Sequence, residues 1–485
     1  MKNLISLLTV VLTVFGINGT ASVDGQSLFF ERIYDETLAQ ASYIIGDKQT
    51  GDAIVIDPKR DIDTYLAISK QNKLNIKQIT ETHIHADFLT GSRELAHVTG
   101  AKLLLSDEGG QDWQYQFAHT SLRDGSIIHV GSIMLKVMHT PGHTPESISF
   151  LLMDGIKPVK AITGDFIFVG DVGRPDLLEK AAGMVGTQEK GARDLFVSLN
   201  EFMKLPDNLE IWPGHGAGSF CGKSLSNIPQ STLGEEKKSN PASKYLNNQD
   251  AFVKYILEGQ PAPPRYFAMM KHLNKVDRPM LIEVPKHAVL SKDDFLRAQQ
   301  NKLTIIDTRT LNDFAKGLND GVLQINGGKF FSTWLGSVLD YNQQIVLIAP
   351  EQNREDLTRK LMRIGMDNIY GFVSPADVPA PAQSDLISMQ EFKQYLNDKN
   401  VVVLDVRNES EYKSGHIAGV ANLAFARILE LEGKHAKNKP IVVHCQSGVR
   451  ASIAYSMLKK QGFTNVKNYT GGMNEWVDAN NAVVQ

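Results

Sequence analysis

The chain has 485 residues, which at roughly 150 residues per domain predicts about three domains, each able to bury its own core. Hydrophobic residues make up 42% and charged residues 22%, values of an ordinary soluble globular protein that exclude a disordered or collagen-like chain. The formal net charge of -3 and the lack of long lysine or arginine runs argue against a nucleic-acid-binding protein.

The first residues have the three-part pattern of a secretory signal peptide. Lys2 gives a positive start, residues 4–15 form an apolar run, and small residues near Ala21 suit a cleavage site. No other stretch reaches about 18 apolar residues, so we expect no stable membrane span in the mature chain. The sequence predicts a signal peptide over residues 1–22 and a periplasmic or otherwise exported protein. The alternatives are a single-pass anchor, or an upstream start codon and a cytoplasmic protein.

Short apolar runs alternate with turn residues from about Leu28 to Pro213, which predicts a strand-rich α/β domain. The segment 259–264 contains three prolines and cannot continue a helix. The first domain is therefore predicted to cover residues 28–280.

Histidine and carboxylate side chains follow several of the predicted strands in this domain. Imidazoles and carboxylates gathered at strand ends suit a borderline or harder transition metal, so the pattern predicts a metal centre. The candidate residues are His83, His85, Asp87, His143, Asp165 and His215.

With these motifs, residues 28–274 resemble the metallo-β-lactamase superfamily, which implies an αββα sandwich. The resemblance to its persulfide dioxygenases implies one Fe(II) per chain, held by His83, His143 and Asp165. Two histidines and one carboxylate leave open positions on the metal, as in non-haem iron oxygenases. Phe88 stands where the usual motif of the superfamily has a further histidine, so a second metal site would lack that ligand.

The other motif residues are expected around that metal. His85 and Asp87 are predicted to lie behind the ligands, and direct contact of His85 with the metal is left open. His215 is predicted to position water or substrate.

An internal repeat, at an offset of 98 residues in its first part and 96 in its second, occupies the rest of the chain. Each copy reads as strand, helix, strand, turn and helix, which predicts α/β domains with parallel sheets over residues 284–376 and 383–485. A proline-rich segment, 374–382, separates them. The best-matched segments are Ile305–Arg309 with Val403–Arg407, and Ile345–Ile348 with Ile441–His444.

The two copies differ at the turn after the second matched strand. In the second copy this turn holds Cys445, Gly448 and Arg450 ahead of a predicted helix, where backbone N–H groups and the helix dipole favour a thiolate nucleophile. In the first copy Ala349 replaces the cysteine, and a proline and a glutamate follow. The first copy is therefore predicted to lack thiolate chemistry.

Both copies resemble rhodanese domains, the first degenerate and the second active. The loop from Cys445 to Arg450 has six residues, one fewer than in the related phosphatases, which favours sulfur transfer over phosphate chemistry. The resemblance implies that Cys445 is the nucleophile, with Arg450 adding positive charge and closing the loop.

Two further residues of the first domain are candidate substrate contacts. Arg174 is predicted either to bind an anionic thiol or to form a surface salt bridge. Cys221, six residues after His215, is predicted either to relay persulfide sulfur or to be a small buried residue. A disulfide between Cys221 and Cys445 is not expected, because it would join separate domains and disable the nucleophile.

The whole arrangement resembles fusions of a persulfide dioxygenase with a degenerate and an active rhodanese. This implies oxidation of a low-molecular-weight thiol persulfide with O2 to give sulfite, followed by transfer of sulfane sulfur from Cys445 to sulfite to form thiosulfate, a route of sulfide detoxification. The implied partners are the persulfide, O2 and sulfite. The thiol carrier and the oligomeric state, a homo-oligomer being one option, are left open.

Two other functions remain open. One is a zinc-dependent thioester hydrolase of the glyoxalase II type with an attached rhodanese, which would need a metal-bound hydroxide. The other is a sulfur carrier or sensor in which the degenerate repeat binds partners.

Overall fold

A computed structural model describes residues 27–182, 186–379 and 385–485. The predicted signal peptide, residues 1–22, lies outside the described residues, so its cleavage and the export of the protein stay predictions. Within the described ranges no helix combines the length and the apolar character needed to cross a bilayer.

Among the described residues 27–182 and 186–280, the first domain contains two six-stranded sheets and seven α-helices. Its strands are Leu28–Asp35 (β1), Gln40–Asp47 (β2), Asp52–Ile56 (β3), Asn75–Thr80 (β4), Lys102–Ser106 (β5), Thr120–Leu122 (β6), Ile127–Val130 (β7), Ile133–His139 (β8), Ile148–Asp154 (β9), Lys157–Gly164 (β10), Glu210–Pro213 (β11) and Ser231–Thr232 (β12). Its helices are Asp63–Gln71 (α1), Ser92–Thr99 (α2), Leu177–Ala182 (α3), Thr187–Phe202 (α4), Leu233–Ser239 (α5), Gln249–Leu257 (α6) and Phe267–Lys275 (α7).

The two sheets stack face to face, with strand orders β1-β2-β3-β4-β5-β6 and β12-β11-β10-β9-β8-β7. Tyr43 and Phe150 belong to the apolar layer between them. Leu95 of α2 packs on the outer face of the first sheet, and Leu199 of α4 and Phe252 of α6 pack on the outer face of the second. Because both faces of each sheet are apolar, helices cover the outside, and the predicted αββα sandwich is confirmed.

The middle and third domains each contain a parallel sheet with flanking helices. The middle domain consists of Val289–Leu290 (β13), Lys292–Gln300 (α8), Thr304–Asp307 (β14), Leu311–Phe314 (α9), Val322–Gln324 (β15), Phe331–Val338 (α10), Ile345–Ile348 (β16), Arg354–Met362 (α11) and Ile369–Val373 (β17). The third consists of Met389–Leu396 (α12), Val402–Asp405 (β18), Glu409–Ser414 (α13), Ala421–Asn422 (β19), Ile441–His444 (β20), Val449–Lys460 (α14), Val466–Tyr469 (β21) and Gly472–Asp478 (α15).

The sequence repeat corresponds to a structural repeat. The middle sheet has the order β13-β17-β16-β14-β15. Read from the matching edge, the third sheet has the order β21-β20-β18-β19, which is the same arrangement without a counterpart of the short strand β13. Ile305 pairs with Val346 in the middle sheet, and the matching Val403 pairs with Val442 in the third. The repeated apolar segments are therefore the central strands of both sheets.

The three domains share buried contacts. The backbone N–H of Gln324 donates to Oγ of Ser456 over 3.0 Å, joining the middle domain to α14. Phe88 of the first domain is fully buried and belongs to the same apolar cluster as Leu335 of the middle domain and Val443 of the third. The domains therefore pack as one body within the described ranges.

Buried ion pairs fasten the middle domain to the first. Nη1 of Arg363 lies 2.8 Å from Oδ2 of Asp35, and its Nε lies 2.9 Å from Oδ1 of Asp61. Burial alone would raise the pKa of Asp35, but Arg363, Thr37 and Lys59 hold that pKa below its ordinary value.

Arg363→Gln is expected to lower the free energy of unfolding by about 3 kcal/mol, because it removes the guanidinium that bonds to two buried carboxylates and leaves Lys59, at 3.5 and 3.7 Å, as the cation between them. The matched control is Arg297→Gln, which removes an exposed ion pair with Asp294 in the same domain and should cost under about 1 kcal/mol. Urea unfolding followed by tryptophan fluorescence measures both, and equal costs would contradict the assignment.

The same contact predicts a pH dependence. Since the folded-state pKa of Asp35 is lowered, its stabilisation is present above the unfolded pKa of about 4 and is lost as pH falls through the lowered value. Below pH 4 the stability difference between the wild type and Arg363→Gln should therefore shrink. Urea midpoints at pH 7 and pH 3 provide the check.

Candidate metal centre and sulfur-transfer loop

The candidate metal residues meet at one end of the sandwich. His83 follows β4, His143 lies between β8 and β9, Asp165 follows β10 and His215 follows β11. Each is at most 2% exposed. The ends of strands from both sheets therefore bring together residues that are far apart in the chain.

Three of these side chains direct their donor atoms to one point. Nε2 of His83 lies 3.9 Å and Nε2 of His143 lies 3.6 Å from Oδ2 of Asp165. Although buried, Nε2 of His83 and Oδ2 of Asp165 have no hydrogen-bond partner among the described residues. Buried polar atoms without partners are costly, and a cation between them would remove that cost. The donor set therefore fits a metal ion.

The charge states of these groups also suit a metal. Burial lowers the pKa of His83 well below its usual value, and burial likewise lowers the pKa of His143. Burial would raise the pKa of Asp165, but the histidines around it, His215 foremost, hold it far below the ordinary range. Neutral imidazole and ionised carboxylate are the forms that bind metals.

Hydrogen bonds fix the ring orientation of both histidines. Nδ1 of His143 donates to the carbonyl of Arg174 over 2.9 Å. The Thr82 hydroxyl donates to Asp57 over 2.8 Å, so its oxygen accepts from Nδ1 of His83 over 3.0 Å. Each ring therefore carries its proton on Nδ1 and turns the lone pair of Nε2 toward Asp165.

His215 bridges two carboxylates. Its Nδ1 lies 2.6 Å from Oδ1 of Asp165, and its Nε2 lies 2.8 Å from Oδ2 of Asp87. Burial would lower the pKa of His215, but the two carboxylates raise it well above its usual value. Both ring nitrogens are used within the protein, and the predicted contact with substrate stays a prediction.

His85 turns toward Asp57 and not toward the three-donor cluster. Its Nε2 lies 3.1 Å from Oδ1 of Asp57, and its ring centroid is 4.1 Å from that of His83. Burial would lower the pKa of His85, but Asp57 raises it. His85 is not one of the three convergent donors, and its predicted place beside the ligands stays a prediction.

A second donor group adjoins the first. A carboxylate oxygen of Asp87, a ring nitrogen of His215 and Sγ of Cys221 lie within 4.8 Å of one another. Burial, together with Asp165 and Asp87, raises the pKa of the Cys221 thiol well above its usual value. Phe88 is packed against His85 at a centroid distance of 4.5 Å and contributes no donor here.

Arg174 holds together two segments next to the three-donor group. Its Nε and Nη2 donate to the carboxylate of Asp176 over 2.7 and 2.8 Å, and its Nη1 donates to the carbonyl of Phe220 over 3.0 Å. Arg174 therefore does form a salt bridge, with Asp176, but the pair is fully buried and the predicted surface location is wrong. The guanidinium holds the loop before Cys221 in place, and its predicted role in substrate binding stays a prediction.

Sequence reasoning missed the residues that position the loop around His85 and Phe88. Nδ2 of Asn274 in α7 donates to the carbonyls of His85 and Phe88 over 2.9 and 2.8 Å. The hydroxyl of Tyr266 donates to the carbonyl of Asp87 over 2.9 Å. A lone asparagine and a lone tyrosine so far along the chain carry no local pattern that would reveal these contacts.

Cys445 follows β20, directly ahead of α14, and is 1% exposed. Gly448 has a φ of 87°, and a Cβ there would come within 2.5 Å of the carbonyl oxygen of Thr470. Only glycine fits this position without displacing the neighbouring strand end. Both cysteines of the chain are free.

Arg450 is held by a partner that the sequence did not suggest. Its Nη1 and Nη2 lie 2.5 and 2.8 Å from the carboxylate oxygens of Glu411 in α13. Burial would lower the pKa of Arg450, but Glu411 raises it, so the guanidinium remains charged. In the middle domain Ala349 occupies the place of the cysteine and is fully buried.

Two protein families match separate parts of the chain. Residues 36–215 match the metallo-beta-lactamase superfamily, and residues 388–479 match the rhodanese-like domain. The first match includes all the candidate metal ligands, and the second includes Cys445 and Arg450.

Several known proteins are similar to the chain. A crystal structure of a metallo-beta-lactamase from Staphylococcus aureus subsp. aureus COL is 41% identical, covers 72% of this chain and 99% of its own, and superposes with a TM-score of 0.67. The human mitochondrial persulfide dioxygenase ETHE1 is 28% identical over 220 residues, which are 45% of this chain and 76% of that protein. A beta-lactamase hydrolase-like protein of Xylella fastidiosa strain 9a5c is 28% identical over 239 residues, which are 43% of this chain.

The match with the Xylella fastidiosa protein spans only 51% of its length. By contrast, the Staphylococcus aureus structure is matched over nearly its whole length. On that similarity, the chain belongs to the metallo-β-lactamase superfamily and joins this fold to a rhodanese-like domain.

Proposed function

We propose that the protein oxidises low-molecular-weight thiol persulfides with O2 to sulfite and uses Cys445 to transfer sulfane sulfur to sulfite as thiosulfate. The observation that carries this proposal is the buried cluster of His83, His143 and Asp165, with its unpartnered donor atoms, in the same molecule as the Cys445 loop. The similarity to human persulfide dioxygenase supports the choice of substrate.

Two imidazoles and one carboxylate suit a non-haem iron centre. An Fe(II) ion, one per chain, held by His83, His143 and Asp165 would supply the binding and activation of dioxygen. Asp165 keeps its charge there, and the single positive charge of the protonated His215 lies between Asp165 and Asp87. Bulk water is excluded from this site, because the side chains of His83, His143 and Asp165 are all buried.

Cys445 carries the second half of the proposed reaction. Its thiolate attacks the outer sulfur of a persulfide, the organic thiolate leaves, and a persulfide remains on Cys445. The sulfur lone pair of sulfite then attacks that outer sulfur, and the bond to Cys445 breaks to release thiosulfate. Sulfite gains the sulfur and the cysteine thiolate is restored, so the second step needs no added proton or electron.

One observation favours a second candidate, a zinc-dependent thioester hydrolase. Asp87, His215 and Cys221 form a donor group beside the first, and a second ion there would give the two-metal arrangement of hydrolases. Metal content separates the two candidates, because the dioxygenase proposal requires one iron and the hydrolase two zinc ions.

His143→Ala is expected to reduce bound iron from about one per chain by tenfold or more and to abolish oxygen uptake with persulfide, because two remaining donors cannot hold the ion. His129→Ala, on an exposed position of β7, is the control and should keep both. Metal analysis and an oxygen electrode give the two readouts. Two tightly bound zinc ions, thioester hydrolysis and no oxygen uptake in the wild type would sink the proposal.

Cys445→Ser is expected to keep oxygen uptake within about twofold while the product changes from thiosulfate to sulfite. A serine hydroxyl cannot carry a persulfide, and the metal centre lies in another domain. Chromatography of the sulfur anions measures the product. Unchanged thiosulfate output would show that sulfur transfer bypasses Cys445.

A further inference from the structure

A cleft of about 810 Å³ lies where the three domains meet. The third domain lines it with Cys445 and Arg450, the middle domain with Lys329 and Trp334, and the first domain with Phe220, the residue before Cys221. The candidate nucleophile therefore opens onto a space that all three domains enclose.

The charged side chains that line the cleft are all cationic. No aspartate or glutamate side chain is among the described residues that line it. The carboxylates that pair with its four cations, Asp340, Glu36, Glu430 and Glu411, all lie outside the lining. Its cationic residues are Arg265, Lys329, Arg427 and Arg450.

A smaller cavity of about 20 Å³ adjoins the cleft. It is lined by Asp87 of the metal-centre loop and shares Phe220, Lys329 and Phe330 with the cleft. Lys329 is the single cation among the described residues that line both spaces. Lys329 therefore lies on the side of the cleft that is next to the loop of Asp87 in the first domain.

Lys329 is available to a ligand. Its Nζ lies 3.2 Å from Oε2 of Glu36, and the two side chains are 44% and 72% exposed. Exposed ion pairs contribute little, so the ammonium group can exchange Glu36 for a bound anion at small cost. Arg450, by contrast, is 16% exposed and bound to Glu411 through two nitrogens. Arg265 and Arg427 also form exposed ion pairs, but neither lines the smaller cavity beside Asp87.

We infer that the cleft binds the sulfur oxyanion, sulfite or thiosulfate, that reacts at Cys445, and that Lys329 of the middle domain is its binding cation. This rests on the proposed function only in assigning sulfur transfer to Cys445. The degenerate middle domain then contributes a specificity-determining residue to a reaction for which it lacks the nucleophile.

The charges of the reaction require such a cation. A deprotonated persulfide on Cys445 carries one negative charge and sulfite carries two, so three like charges approach as the sulfur–sulfur bond forms. In the reverse direction the thiolate and thiosulfate bring the same total. Positive groups facing the cleft lower this repulsion in both directions.

The test compares full-length Lys329→Gln with the wild type in thiosulfate-to-cyanide sulfur transfer, which does not use the metal centre. We expect the KM for thiosulfate to rise about tenfold with kcat within twofold, and Lys329→Arg to restore a KM within threefold of the wild type. The matched control is Lys316→Gln, an exposed lysine of the same domain that does not line the cleft. Titration calorimetry of sulfite into Cys445→Ser, with and without Lys329→Gln, measures binding without turnover.

An unchanged KM, or a lower kcat at unchanged KM, would overturn the inference, as would equal sulfite binding by the two calorimetry variants. If Lys329→Gln fails to fold by circular dichroism, Lys329→Arg decides the test. A folded Lys329→Arg protein with a raised KM for thiosulfate would then overturn the inference. The proposed function is judged separately, because it fails if the wild type takes up no oxygen with persulfide, whatever Lys329 does.

Discussion

The carboxylate of Asp165 is the point on which the first domain's site depends. One oxygen accepts from the protonated His215, and the other faces Nε2 of His83 and of His143. If Asp165 were neutral, the buried charge of His215 would lose half its compensation, and the metal would lose its only anionic ligand in the three-donor set. Metal binding and the charge balance of the surrounding core are thus set by one side chain.

Hydrogen bonds link Asp165 to residues farther from the three-donor group. His215 connects Asp165 to Asp87, and the carbonyl of Asp87 accepts from Tyr266 near α7. Phe88, one residue later, packs in the apolar cluster that the middle and third domains share. An apolar side chain at this position therefore removes a potential metal donor and at the same time fills the joint between domains.

The grouping of His83, His143 and Asp165, and the place of Cys445 between a strand and a helix, were predictable because each residue follows a strand and carries a local motif. β4 belongs to the first sheet and β8 and β10 to the second, and the ends of these strands meet at one end of the sandwich. Cys445 was marked by the glycine and arginine beside it. Such residues can be read without knowing how the domains pack.

Residues whose roles depend on contacts far along the chain or on packing could not be predicted in this way. Lys329 and Glu411 have no motif, and their partners are Glu36 of the first domain and Arg450 of the loop, at long sequence separation. A surface salt bridge was one of the two alternatives for Arg174, and the burial of its pair with Asp176 depends on the packing of the loop that contains Phe220. Packing, and not composition, decided these cases.

Helix α14 has a consequence for how this chain can be divided. Every residue from Ala451 to Leu458 is buried, so one side of the helix covers its own sheet and another side covers the middle domain, as the contact of Ser456 with Gln324 shows. A helix that is buried all round has no face suited to water. The residues that match the rhodanese-like domain therefore bury one of their helices against the middle domain, and a fragment cut at residue 388 would expose that apolar surface to water.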